Sequence, residues 1–167
     1  MSSVADNQSN PKSLPPLKIL VVDDDALNQH LMQVLLTHEG YQVDTASNGL
    51  EAFDAIKYGQ FDIVFMDLRM PIMDGMEASR RIREWEEGGQ HTFIVALTAS
   101  YLPEEGQSLF EAGMDNYISK PFQMEHLQRM LKYVTKARVT ASSHANTTPE
   151  EVMLPNEILD IPKKQNR

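Results

Sequence analysis

The sequence contains no cysteine. That excludes disulfides, thiolate nucleophiles and zinc–thiolate centres, and it fits a chain that works in a reducing compartment. It has no run of about 18 apolar residues, so no membrane span is expected. The opening MSSVADNQSNPKSLPP is polar and lacks the apolar stretch of a secretory signal. Positive charge is scarce: 15 Lys and Arg stand against 24 Asp and Glu, a net charge of −9. Residues 17–135 hold 9 of the basic and 19 of the acidic side chains. An acidic body without a basic footprint argues against nucleic-acid binding and suits a cation. There is no internal repeat. The 167 residues make about one domain with a real core.

What is present is an alternation of short apolar runs and helical patterns. Residues 1–16, rich in Ser, Asn and Pro, read as a disordered leader. LKILVV at 17–22 is a buried strand, followed by Asp23, Asp24 and Asp25. A helical pattern then runs to about His38, with Leu27, Leu31, Val34 and Leu35 at helical spacing. YQVDTA at 41–46 alternates and reads as a strand nearer the sheet edge. The next helix, 50–58, is expected to turn Leu50, Phe53 and Ile56 inward. FDIVFMDLRMP at 61–71 is an apolar run that ends in an acid and then a proline, which suits a strand buried on both faces. A helix over 76–86, the buried run FIVAL at 93–97, a helix from Pro103 to near Gly113, a short strand at 117–119 and an amphipathic helix over 123–135 complete the order. The folded domain therefore spans 17–135, and 136–167 read as a disordered or weakly structured tail. Five strands alternating with five helices predict a parallel sheet with right-handed crossovers and helices on both faces.

In such a sheet the residues just after each strand share one edge, where open α/β sheets place their ligands. Those residues are Asp23 and Asp24, Asp67, Thr98 and Lys120. Three carboxylates in one crevice repel each other unless a cation joins them. Oxygen ligands with an open side suit Mg²⁺ or Mn²⁺. Lys120 adds a point charge suited to phosphate and Thr98 a hydroxyl donor. The set describes a cradle for a phosphoryl group beside a metal. A carboxylate nucleophile needs no base because it is already ionised, so the product would be an aspartyl phosphate.

VVDDD at 21–25, FMDLRMPIMDG at 65–75, ALTAS at 96–100 and ISKPF at 118–122 stand in an order and spacing that resembles the receiver domain of two-component response regulators. The resemblance covers about 17–134 and implies a flavodoxin-like (βα)5 fold with strand order 2-1-3-4-5. It implies that Asp67 accepts phosphate from the phosphohistidine of a histidine kinase or a histidine phosphotransfer protein. Asp24 would ligate Mg²⁺ directly, Asp23 largely through water, and the backbone carbonyl of Arg69 would complete the protein ligands. Thr98 would swing towards the phosphoryl group, Tyr117 would turn inward behind it, and Lys120 would pair with a phosphoryl oxygen. The Lys120–Pro121 bond would be cis. The output would be a changed surface on the fourth helix, fifth strand and fifth helix, read by a downstream protein. Leu27-Asn28 and MDGMEASRRIRE at 73–84 are closest in flavour to receivers of hybrid histidine kinases or of eukaryotes. Arg69 and Ser100 occupy positions that tune phosphate loss in the family.

Each residue also has a plainer reading. Asp24 or Asp25 could cap the first helix. Asp67 could be a turn acid, Thr98 a strand former, Lys120 a solvated side chain and Tyr117 an edge-strand aromatic. The five His show no ligand spacing and read as surface residues. Arg80, Arg81 and Arg83 beside Glu84, Glu86 and Glu87 read as a salt-bridged helix face. Two other functions compete with the phosphoacceptor switch, which turns over no metabolite and so is not an enzyme in the usual sense. One is a Mg²⁺-dependent phosphohydrolase, but Arg69 stands where its second acid is needed. The other is a pure interaction module, against which the complete acidic set argues. A cytoplasmic location is expected, or a nuclear one in a eukaryote. The sequence does not choose between a stand-alone receiver and one cut from a larger protein.

Overall fold

The computed structural model describes residues 15–99 and 103–143. In chain order the elements are β1 (Lys18–Val22), α1 (Ala26–His38), β2 (Gln42–Ala46), α2 (Gly49–Tyr58), β3 (Ile63–Asp67), α3 (Gly75–Trp85), β4 (Phe93–Thr98), α4 (Pro103–Glu111), β5 (Asn116–Ser119) and α5 (Met124–Ser143). The strands form one parallel sheet in the order β2-β1-β3-β4-β5. This is the flavodoxin-like arrangement expected from the sequence.

Side-chain alternation divides the core into two layers. Ile19, Val21, Ile63, Phe65, Val95, Leu97 and Ile118 pack with Met32 and Leu36 of α1 and Leu127, Met130, Leu131 and Val134 of α5. Leu20, Val22, Val64, Met66, Ile94 and Ala96 pack on the other face with residues of α2, α3 and α4. β1, β3 and β4 are buried on both faces, which is why they read as unbroken apolar runs. β2, at the sheet edge, is mostly exposed until Ala46.

The helices start where the sequence offers caps. Asp25 accepts from the Leu27 N–H, Asn48 from those of Leu50 and Glu51, and Asp74 from that of Glu77. The capping role weighed for the acid triplet thus falls to Asp25.

Four details depart from the sequence reading. On α1, Leu27, Leu31 and Val34 point outward, at 74%, 51% and 51% exposure, while Met32 and Leu36 are buried. On α2, Leu50 is exposed and Ala52 joins Ile56 in the core. Arg83 is no surface charge: it is half-buried and reaches Glu86, Asp115 and the carbonyls of Thr92 and Gly113. Finally, α5 continues to Ser143, eight residues past the boundary read at 135. Arg138 on that extension donates to the Pro15 carbonyl and pairs with Asp62, which ties the helix to the segment before β1 and to the residue before β3. Among the described residues no helix is long and apolar enough to cross a membrane.

Candidate functional site

Every strand of the parallel sheet delivers its carboxyl end to the same edge. β1 leads into Asp23 and Asp24, β3 ends on Asp67, β4 ends on Thr98, and Lys120 follows β5. Asp23, Asp24 and Asp67 each bring a carboxylate oxygen within 4.8 Å of the other two. The Lys120 ammonium lies 3.0 Å from Asp23 Oδ2 and 3.3 Å from Asp67 Oδ2. Asp23, Asp24, Asp67 and Lys120 therefore meet in one crevice, and Thr98 ends the strand next to that of Asp67. Asp24 is its exposed member and Asp23 its buried one, at 1% exposure.

Asp23 is held from several sides. Its Oδ1 accepts from the Asp25 N–H at 2.9 Å, and the Asn28 amide lies 3.3–3.4 Å from both carboxylate oxygens. Asp67 is half-buried, and its Oδ1 accepts from the Arg69 N–H at 3.3 Å. Three carboxylates meet one ammonium, so the crevice carries excess negative charge. Mutual repulsion of this kind is relieved by a bound cation. Its all-oxygen donors and open side fit a hard divalent ion. Burial would lower the Lys120 pKa, but the hydrogen bond that Lys120 donates to Asp23 and the charges of Asp67 and Asp23 outweigh it and raise the pKa above the usual lysine value. Lys120 is thus fixed in its charged form.

Local packing sets where Asp67 sits. After β3 the chain turns through the loop 68–74, and the Gly75 N–H donates to the Leu68 carbonyl at 3.1 Å. A Cβ on Gly75 would collide with the Asp67 carbonyl oxygen. Only glycine lets α3 start this close to the strand end. Within the loop Ile72 has φ +70°, a backbone conformation that β-branched residues rarely adopt.

Thr98 is buried, and its carbonyl accepts from the Lys120 N–H at 2.6 Å. Tyr117, registered opposite Ala96, is half-buried against the core layer of α2, α3 and α4. Alternation places Thr98 and Ala96 on one face of β4, so Thr98 and Tyr117 share that side of the sheet. The Lys120–Pro121 bond is cis, as expected. Ser100 lies outside the described residues.

Sequence reasoning missed some neighbours. Gln29 and Asn28, on the first turns of α1, both reach Asp23. Only the helical phase from the Asp25 cap would have pointed at them. His91, read as a plain surface residue, meets Asp115 at 2.9 Å at the opposite edge of the sheet. A cavity of about 580 Å³ there, lined among others by His91, Asp115, Tyr133 and Arg138, contains none of the candidate site residues.

A family model of the response regulator receiver domain matches residues 19–132. The chain belongs to this family. The receiver is similar to parts of much longer signalling proteins. Sensor protein GacS of Pseudomonas syringae pv. syringae is 39% identical over 155 residues, which is 88% of this chain and 16% of that protein. Hybrid signal transduction histidine kinase F of Dictyostelium discoideum is 38% identical over 118 residues, 69% of this chain and 11% of that protein. The receiver thus spans less than a fifth of these relatives. Among solved structures, the receiver domain of the Pseudomonas aeruginosa sensor histidine kinase PA1611 aligns with TM-score 0.65 and 35% identity, covering 72% of this chain and 98% of that one. That structure has a magnesium ion coordinated in its active site cleft. A chain from the co-crystal of the Saccharomyces cerevisiae histidine phosphotransfer protein Ypd1 with the receiver domain of Ssk1 aligns with TM-score 0.70 and 29% identity, covering 76% of this chain and 94% of that one.

Proposed function

We propose that this receiver is a phosphorelay switch in which Asp67 accepts a phosphoryl group from a phosphohistidine. The observation that carries the reading is the meeting of Asp23, Asp24 and Asp67 around the Lys120 ammonium. An Asp67 oxygen attacks phosphorus. The phosphorus–nitrogen bond breaks as the phosphorus–oxygen bond forms, and the electron pair leaves on the imidazole. Lys120 takes one phosphoryl oxygen and the Thr98 hydroxyl donates to another. Asp24, Asp67 and the Arg69 carbonyl would hold Mg²⁺, with Asp23 contributing largely through water. Bound there, Mg²⁺ supplies the positive charge that offsets both the carboxylates and the incoming phosphoryl oxygens. Thr98, once drawn to the phosphoryl group, leaves space on the side that Tyr117 shares, and Tyr117 fills it. The altered α4-β5-α5 surface is then read by a downstream protein.

The phosphodonor is a histidine kinase or a histidine phosphotransfer protein. Its landing surface is the outer face of α1, where Leu27, Leu31 and Val34 form an exposed apolar stripe that begins beside the acidic crevice. The co-crystal of the histidine phosphotransfer protein Ypd1 with a receiver domain supports a partner of this kind.

The test is labelling with acetyl phosphate followed by intact mass. One phosphoryl group is expected to add in Mg²⁺, none in excess EDTA and none on Asp67→Asn. An adduct that survives Asp67→Asn in a folded protein overturns the assignment.

A further inference from the structure

We infer that Gln29, outside the proposed ligand set, is a positioning residue for the acid pair Asp23-Asp24. The inference rests on the Mg²⁺ site proposed above. β1 and β2 pair up to Val22 and Ala46, and the Asp23 N–H still reaches the Ala46 carbonyl at 3.2 Å. There the strands part, because the chain turns at Asp24 and Asp25 into α1. Gln29 spans the gap. Its Nε2 lies 2.6 Å from the Asp23 carbonyl, 2.9 Å from the Ala46 carbonyl and 3.1 Å from Ser47 Oγ. The amide thus extends the ladder by one rung of side chain and ties α1 to two strand ends.

The tie matters because of which carbonyl it grips. The Asp23 carbonyl belongs to the peptide joining Asp23 to Asp24. The plane of that peptide sets the direction in which the Asp24 side chain leaves the main chain. Asp23 needs little further help, since its carboxylate is already buried and bonded to the Asp25 N–H and Lys120. Asp24 has no such support: it is exposed, and among the described residues nothing donates to its carboxylate. Its aim rests on the main chain alone, and Gln29 holds that main chain. Partners that orient metal ligands in this way typically change affinity about 10- to 100-fold when removed.

The test is a double-mutant cycle read by calorimetric titration of Mg²⁺ into the metal-free full chain, for wild type, Gln29→Met, Asp24→Asn and the pair. Gln29→Met keeps the side-chain length and loses the donors. It is expected to weaken Mg²⁺ binding at least about 10-fold. In the Asp24→Asn background the same change is expected to cost little more, since the ligand it aims is already gone. Unchanged Mg²⁺ affinity in Gln29→Met, or an equal loss in both backgrounds, overturns the positioning role and leaves the metal site standing. Wild type that binds no Mg²⁺, or Asp24→Asn that binds it undiminished, overturns the site and this inference together. A wild-type measurement covers the case of variants that do not fold. The Gln29 side-chain amide NMR signal is expected to shift in step with the Asp24 backbone amide as Mg²⁺ is added, and a stationary Gln29 signal refutes the inference.

Discussion

A single side chain's absence fixes the distance between β3 and α3. Gly75 lies so close to the Asp67 carbonyl that a methyl group has nowhere to go. Overpacking of this kind typically costs about 1–3 kcal/mol. Gly75→Ala should therefore lower the urea midpoint, and it should also slow acetyl phosphate labelling, because the atom that must move belongs to Asp67 itself. A stability loss with unchanged labelling would place the strain elsewhere in the loop. The acids, Thr98 and Lys120 were legible because each follows an apolar run, a pattern visible in one dimension. Gly75 was not, since in the sequence PIMDG reads as an ordinary loop. Arg83 was misread for a related reason: its partner Asp115 lies 32 residues away. Three arginines near three glutamates suggest a purely local ladder, but Arg83 alone meets one of those glutamates, Glu86, among the described residues, while Arg80 and Arg81 pair with Glu77 instead.

At the scale of elements, periodicity found every helix and strand but not always the side it buries. α1 carries apolar residues at 27, 31, 32, 34, 35 and 36, too many for one stripe. The sheet takes Met32 and Leu36, and Leu27, Leu31 and Val34 are left facing water. That division makes opposite predictions for neighbouring leucines. Leu36→Ala should cost about 2–5 kcal/mol in urea unfolding, as a fully buried side chain does. Leu31→Ser should stay within about 0.5 kcal/mol. If the stripe receives the phosphodonor, Leu31→Ser should also slow transfer from a phosphohistidine protein while leaving labelling by acetyl phosphate unchanged. Equal losses with both donors would mean that Leu31 serves the site and not the docking. The end of α5 was beyond reach for another reason. Its last two turns carry few apolar residues, and they are held partly by Arg138 reaching Pro15 and Asp62, a contact across 123 residues in the first case.

For the whole molecule, the alternation of strands and helices announced a parallel sheet, but the strand order came from the family resemblance. Nothing in periodicity says which strand sits beside which. The acidic balance was equally plain, yet its consequence for stability depends on where groups are placed. Tyr133 and Tyr41 illustrate this at the alkaline end. Burial raises both phenols above the ordinary value near 10, with Asp115 adding to the effect at Tyr133 and Glu39 at Tyr41. Each therefore keeps its proton in the fold at a pH where the unfolded chain has lost it. The folded state then binds more protons, so stability must fall as pH climbs from about 10 through the raised values, and neither group contributes any slope near neutrality. Urea midpoints measured from pH 8 to 11 should hold level and then decline. The double variant Tyr41→Phe/Tyr133→Phe removes both ionisations and keeps both rings, so its decline should be shallower. A decline as steep as the wild type's would assign alkaline instability to groups other than these two phenols.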